Sequence, residues 1–139
     1  MARAVLLADT SAFTRFAQPA VVAAVAPLTA QGQVALCRPV MFELGYSARN
    51  EADHRALTDR LAAFECVPVT DGDHRRALEV QELLVRRGQH RAVSLVDALV
   101  AAVAEARRLT VLHYDRDIET VAAVTGQPHR WVVPAGSAD

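Results

Sequence analysis

Acidic side chains are the first candidates for chemistry in this 139-residue sequence. Several stand where an apolar run ends and a helix is expected to begin, as in LLADTSA, SLVD and LHYDRD, and one lies inside the apolar stretch PVMFELGYSA. The residues concerned are Asp9, Glu43, Asp97, Asp115 and Asp117. Each aspartate also has a simpler interpretation, because aspartate is a preferred helix N-cap and a favourable charge in the first helical turn.

Taken together, these acids indicate a metal site. Carboxylates brought close together repel, and each raises its neighbour's pKa unless a cation neutralises them. Oxygen donors without an organised histidine or cysteine set select Mg²⁺, or alternatively Mn²⁺, over Zn²⁺. Such a site leaves coordination positions to water and to substrate phosphate. The pattern therefore predicts metal-assisted hydrolysis of a phosphodiester.

Three further residues are candidates for binding the substrate or orienting the acids. Thr10 and Ser11 directly follow Asp9, and we expect them to orient that acid or a nearby water, or to cap the helix that follows. Arg91, just before the segment that carries Asp97, is the arginine we expect to contact substrate. Arg91 belongs to a local basic region with Arg75, Arg76, Arg86 and Arg87. A solvated helix face explains this region equally well.

The sequence excludes several other chemistries. All 15 basic residues are arginine, so a P-loop or a Schiff base, each of which needs a lysine, is absent. The five histidines show no zinc-binding spacing, and no GxSxG motif supports acyl transfer. His113, at the end of an apolar run, is expected to be a structural hydrogen-bonding residue.

Composition indicates an ordinary globular protein. The net charge of −1 provides no global basic field for nucleic acid. The two cysteines, Cys37 and Cys66, have no CxxC partner and suit a reducing cytosol. We see no signal peptide and no apolar stretch long enough to cross a bilayer, so we expect a cytoplasmic protein without a membrane partner.

Apolar runs alternate with helical segments along the chain. We predict strands at 4–8, 33–37, 66–69, 110–113 and 130–133. We predict helices at 11–17, 19–30, 39–49, 51–64, 73–87, 94–109 and 117–124. This βα alternation predicts an α/β fold, a three-layer α/β/α sandwich with a central parallel sheet of about five strands.

This predicted sheet explains why distant acids could meet. Ligands of such sheets bind outside the carboxyl ends of the strands, where strand order reverses. Asp9, Asp97 and Asp115 all fall at strand ends or helix starts on that edge. We expect one domain, residues 1–134, followed by a loose tail at 135–139.

Four stretches of the sequence resemble PIN-domain ribonuclease toxins of the VapC family, from VapBC toxin–antitoxin pairs. They are LLADTSAF, FELGYSAR, SLVDALVAAVAEA and VLHYDRDIETVAAVTGQPHRWVVP, and they span essentially the whole domain in the family's order. One departure is Ile118, where a phenylalanine is expected after DRD; it concerns packing and not the acids. The resemblance implies a PIN-like fold and an Mg²⁺-dependent endoribonuclease that arrests translation.

The resemblance also implies roles for individual residues. Asp9 and Asp97 would be the principal metal ligands, Glu43 and Asp115 the remaining catalytic acids, and Asp117 an accessory acid. It further implies a homodimer with an RNA substrate and a VapB-type antitoxin that lays a segment across the cleft. We expect that groove between the apolar helices at 12–30 and the helix at 51–64, although simple core packing explains both equally well.

Two other functions remain open at this point. The chain could be a PIN-like nuclease outside toxin–antitoxin biology. It could also be a non-catalytic binding module that acts in an antitoxin–operator DNA complex. The second alternative predicts the loss of one or more core acids, and the sequence retains all four.

Overall fold

The computed structural model describes residues 4–139 and contains a five-stranded parallel sheet flanked by seven helices. The strands are β1 (Leu6–Ala8), β2 (Val34–Cys37), β3 (Glu65–Val67), β4 (Thr110–His113) and β5 (His129–Trp131). The helices are α1 (Thr10–Phe13), α2 (Pro19–Ala30), α3 (Arg38–Tyr46), α4 (Glu51–Leu61), α5 (Asp71–Val85), α6 (Leu95–Arg107) and α7 (Arg116–Thr125). The predicted α/β class and parallel sheet are confirmed.

The strand order is β3-β2-β1-β4-β5, with every neighbouring pair parallel. The chain first builds outward from β1 through β2 to β3, and then returns to the other side of β1 to add β4 and β5. Strand order therefore reverses between β1 and β4, because the connection after β1 leads towards β2 and the connection after β4 leads towards β5. Ligands of such sheets bind outside the carboxyl ends of the strands at this position. Asp9 follows β1 directly, and Asp115 lies two residues after β4.

The central strands are buried because both faces of the sheet are covered. All residues of β1 and β2 are buried, and so are the last three of β4. This explains why they read as continuous apolar runs and not as alternating ones. The main hydrophobic core joins these strands to α3 and α6, so the helix that carries Asp97 is held rigidly against the sheet.

Several predicted boundaries are wrong by a few residues. The first helix ends at Phe13 rather than at residue 17, because Phe13 and Phe16 pack against Phe64 and the chain turns to make that contact. The helix predicted to begin at residue 73 begins at Asp71, because a capping box joins Thr70 to Asp73.

The last residues of the chain, for which the sequence predicts a loose tail, contact the rest of the domain. Ala138 is buried, its N–H donates to the Tyr114 hydroxyl at 2.9 Å, and its carbonyl accepts from Arg15 Nε at 3.0 Å. The Tyr114 hydroxyl in turn donates to Asp139 Oδ1 at 2.7 Å. These contacts join the end of the chain to the residues that follow β4 and α1.

None of the helices within residues 4–139 combines the length and the apolar character needed to cross a bilayer.

Candidate active site

Asp9 is the most buried acid of the site, with only 2% of its surface exposed. It ends β1 and serves as the N-cap of the short helix α1. Its Oδ2 atom accepts hydrogen bonds from Ser11 N at 3.2 Å and from Ser11 Oγ at 2.6 Å. Its Oδ1 atom is buried and has no hydrogen-bond partner in the described structure. An unsatisfied buried carboxylate oxygen is costly, so a ligand for it is expected.

The carboxylates of Asp97 and Asp115 lie close to Asp9, at the position where the strand order reverses. One oxygen each of Asp9, Asp97 and Asp115 lies within 4.8 Å of the other two. Asp97 occupies the third position of α6, where a capping box with Ser94 fixes the start of the helix. Asp115 is the N-cap of α7, and its Oδ1 accepts from Asp117 N at 2.9 Å. The same side chains therefore cap the starts of helices and bring their carboxylates together in one cluster.

Burial and mutual repulsion raise the pKa of two of these acids. The pKa of Asp97 is raised to about 7, first by burial and then by the charges of Asp9 and Asp115. The pKa of Asp9 is also raised by burial, against the lowering effect of its hydrogen bonds with Ser11. Three ionised carboxylates are thus unfavourable in this position without a nearby positive charge.

The three-acid cluster fits a hard divalent cation. It offers only carboxylate oxygens, which suit Mg²⁺ or Mn²⁺. The Oδ1 atom of Asp9 is available as a ligand atom, because no group within residues 4–139 forms a hydrogen bond with it. A bound cation would stabilise the ionised form of Asp97, whose carboxyl would otherwise be half protonated near neutral pH.

Glu43, the fourth predicted acid, lies apart from the three-acid cluster. It is partly buried on α3, and its Oε1 accepts from Thr10 Oγ1 at 2.5 Å. Since Thr10 follows Asp9, this bond ties α3 to the end of β1. Glu43 and Thr10 also line an open cavity of about 370 Å³.

The other predicted residues lie around the cluster in different ways. Ser11 uses its hydroxyl as a donor to Asp9 and as an acceptor from Tyr114 N at 2.9 Å, so it supports the acid. Asp117 is partly exposed, and its pKa is raised by burial and by Asp115. Arg91 is exposed and makes no ion pair with any residue of the described part of the chain.

A pair of histidines, His113 and His129, lies beside Asp115, and the sequence predicts a structural role only for His113. His113 is fully buried; its Nδ1 accepts from Asp115 N at 3.1 Å, and its Nε2 lies 2.9 Å from Nδ1 of His129. Burial, together with the nearby His129, lowers the pKa of His113 to about 4. A neutral His113 therefore holds the backbone of Asp115 in place, as its expected structural role implies.

The fold and the three-acid cluster define a PIN domain, and the PIN-domain family model matches residues 6–124. The chain is 48% identical over 133 residues to Ribonuclease VapC51 of Mycobacterium tuberculosis, which covers 96% of each chain. It is 45% identical over 133 residues to Ribonuclease VapC21 of the same organism, covering 95% of this chain and 96% of the relative.

A solved structure of the same kind of protein has a similar fold. VapBC-5, a member of the VapBC family of toxin–antitoxin systems from Mycobacterium tuberculosis, contains a chain that is 26% identical to this one, with a TM-score of 0.63 over 94% of this chain and 97% of that one. The chain belongs to the VapC family of PIN-domain proteins, and the resemblance noted from its sequence is confirmed.

Proposed function

We propose that this chain is a divalent-metal-dependent endoribonuclease and the toxin of a type II toxin–antitoxin module. The observation that carries the proposal is the meeting of Asp9, Asp97 and Asp115, of which Asp9 has a buried oxygen without a hydrogen-bond partner among residues 4–139. The relatives are named ribonucleases, which supports RNA as the substrate.

The chain's own residues hold and tune this site. Asp9, Asp97 and Asp115 would bind Mg²⁺, or Mn²⁺ in its place, and Ser11 would keep one oxygen of Asp9 oriented away from the ion. When bound, the ion supplies Lewis-acid polarisation of the phosphoryl group and lowers the pKa of water. Glu43, held by Thr10, would stand at the side of the cluster and accept a proton or orient a water there. Asp117 would add negative charge near Asp115.

The proposed partner is a VapB-type antitoxin. An apolar cleft of about 560 Å³ lies between α3 and α4 and is lined in part by Met41, Leu57 and Leu61. This cleft shares α4 with the groove expected from the sequence, and its other wall is α3. An amphipathic antitoxin helix would place its apolar face in this cleft.

We further propose a cytoplasmic homodimer. Leu78 and Leu95 are exposed large apolar residues on α5 and α6, and they line a cleft of about 230 Å³ between these helices. Exposed apolar clusters of this kind mark protein interfaces. Sedimentation of the purified chain measures its oligomeric state directly.

The decisive experiment compares the parent chain with Asp97→Asn. RNA ends would be mapped after brief expression, and cleavage of a labelled RNA would be followed in vitro with Mg²⁺ and with chelator. We expect cleavage by the parent that needs the metal, and a loss of about 10²–10³-fold in the variant, because several kcal/mol of transition-state stabilisation depend on the ion. Equal cleavage by both proteins would overturn the assignment of Asp97 to the metal site, whereas no cleavage by the parent would exclude the proposal and favour a binding module.

A further inference from the structure

We propose that the exposed side of α3 carries a binding subsite for unpaired nucleotides, in which Phe42 and Tyr46 stack on bases and Arg38 binds a phosphate. The subsite rests on the proposed ribonuclease function and specifies how the RNA is held beside the acids. It is a substrate-binding site and takes no part in bond cleavage.

Phe42 and Tyr46 are exceptional among the aromatic residues of the chain. They are 82% and 90% exposed, values that no packing role explains. The other five of the seven aromatic residues pack ring against ring: Phe13, Phe16, Phe64, Tyr114 and Trp131. Two large exposed rings on one short helix therefore indicate a binding function.

The spacing of the subsite residues places them on one face of α3. Arg38, Phe42 and Tyr46 are four residues apart in turn, so they form a single row along the helix. Each step advances by about 6 Å along the axis. The row presents one cation followed by two rings, which is the combination that single-stranded nucleic acid binds: a positive group for the backbone and flat faces for the bases.

The row adjoins the three-acid cluster. Phe42 and Tyr46 line the cavity of about 370 Å³ together with Thr10 and Glu43, and Thr10 is the next residue after Asp9. A cavity of this size is in the range of small-ligand sites. An RNA strand whose phosphate reaches Asp9 and its partners would therefore place a neighbouring base against Phe42 or Tyr46.

The charge of the row suits the phosphate backbone of RNA. Arg38 is exposed and has no ion-pair partner among residues 4–139. A free guanidinium binds a phosphate well. Arg38 and Phe42 also line the apolar cleft between α3 and α4, so an antitoxin in that cleft would compete with RNA for both side chains.

The test measures binding of a fluorescently labelled, unstructured RNA oligonucleotide to the full chain in chelator, followed by cleavage kinetics with Mg²⁺. We expect Phe42→Ala and Tyr46→Ala each to weaken binding about tenfold or more, and to raise KM while changing kcat far less. Phe42→Trp and Tyr46→Phe should bind like the parent because they keep a flat ring. Val22→Ala, on α2, is the matched control for loss of an exposed apolar side chain.

Leucine variants separate stacking from simple apolar contact. Phe42→Leu and Tyr46→Leu should lose RNA binding as the alanine variants do, whereas a protein-docking surface would tolerate leucine. The inference is overturned if the leucine variants bind RNA like the parent, or if the alanine variants change only the sedimentation mass or antitoxin binding. A parent chain that neither binds nor cleaves RNA would instead refute the proposed function itself.

Discussion

The hydroxyl of Ser11 donates a 2.6 Å hydrogen bond to Oδ2 of Asp9. The same hydroxyl accepts from the N–H of Tyr114 at 2.9 Å, so its one proton must point at the acid. One oxygen of Asp9 is thereby held by the protein, and the other is buried without a hydrogen-bond partner among the described residues. One oxygen of Asp9 also lies within 4.8 Å of an oxygen of Asp97 and an oxygen of Asp115. Ser11 thus links the end of β1 to the end of β4 and orients the central acid.

Ser11→Ala should weaken metal binding. The hydrogen bonds from Ser11 lower the pKa of Asp9 against the effect of burial, so removing the hydroxyl raises that pKa further and makes the proton a stronger competitor for the ion. We expect the Kd for Mn²⁺ to rise about 10- to 100-fold, the usual effect of losing an outer-shell partner. Calorimetric titration at neutral pH measures this.

Ser11→Thr is the control, because it keeps the hydroxyl and should bind Mn²⁺ nearly as the parent does. Raising the pH should restore part of the affinity of Ser11→Ala, since the competing proton is removed. Unchanged Mn²⁺ affinity in Ser11→Ala would show that Asp9 needs no such support.

Asp97 should make the metal-free protein less stable as pH rises. Its folded-state pKa is about 7, while the unfolded chain titrates near the ordinary value of about 4. Between these values the folded protein holds a proton that the unfolded chain has released, so the free energy of unfolding falls as pH rises through this window. Thermal melting in chelator from about pH 5 to pH 8 measures the trend.

Asp97→Asn tests whether this carboxyl causes the trend. Asparagine keeps an acceptor for Ser94 N, which Asp97 Oδ2 binds at 3.2 Å, but carries no charge. We expect a smaller pH slope and a higher melting temperature than the parent at about pH 8. A variant that melts lower at every pH would mean that capping of α6 outweighs the relief of repulsion.

Added Mg²⁺ should reverse the pH effect in the parent. A ligand that binds only the folded state raises its stability in proportion to the logarithm of ligand concentration over Kd. We expect a clear rise in melting temperature for the parent and little or none for Asp9→Asn or Asp97→Asn. Equal rises in all three proteins would place the cation elsewhere. Ca²⁺, added separately, shows whether stabilisation needs the smaller ion.

Much of this site follows from the sequence, because strand ends are easy to locate. Apolar runs place Asp9 and Asp115 at the carboxyl edge of a parallel sheet, and the SLVD pattern places Asp97 in a first helical turn. The fold rule then brings them together. The directions of side chains cannot be predicted in this way. Glu43 is bonded to Thr10 and lies outside the three-acid cluster, and only the packing of α3 determines that.

Several of the differences involve a partner distant in sequence, whereas the start of α5 depends on a local capping box between Thr70 and Asp73. The last strand is His129–Trp131 and not 130–133, because its register is set by pairing of His129 with Val111. The contacts at the end of the chain depend on Tyr114 and Arg15, and local composition contains no sign of either. Exposure of Phe42 and Tyr46 is likewise invisible in FELGYSAR, which suggests a buried helix.

Thr10→Val should distinguish the role of Glu43 from that of the proposed metal ligands. The substitution removes the hydroxyl that Glu43 Oε1 accepts from but leaves the three-acid cluster intact. If Glu43 acts beside the ion and not on it, cleavage should fall by about tenfold, in line with a mispositioned acid–base group. The Mg²⁺-induced rise in melting temperature should persist. Loss of that rise would show that Glu43 is itself a ligand.

Tyr114→Phe should destabilise the protein through the end of the chain. The hydroxyl accepts from Ala138 N and donates to Asp139 Oδ1, so its removal leaves a buried N–H without a partner. We expect a loss of about 1–3 kcal/mol in the free energy of unfolding, measured in denaturant.

Deleting residues 137–139 should cost a similar amount, and the two changes combined should cost less than their sum, since both remove the same contacts. Fully additive losses would mean that Tyr114 acts independently of the tail.

Deleting residues 137–139 should also affect the candidate metal site, through Arg15. It packs 4.4 Å from the Tyr114 ring centroid and donates both to Ala138 O and to Ser11 O. A tail that anchors Arg15 therefore also steadies the turn that orients Asp9, and the deletion should weaken Mn²⁺ binding along with stability.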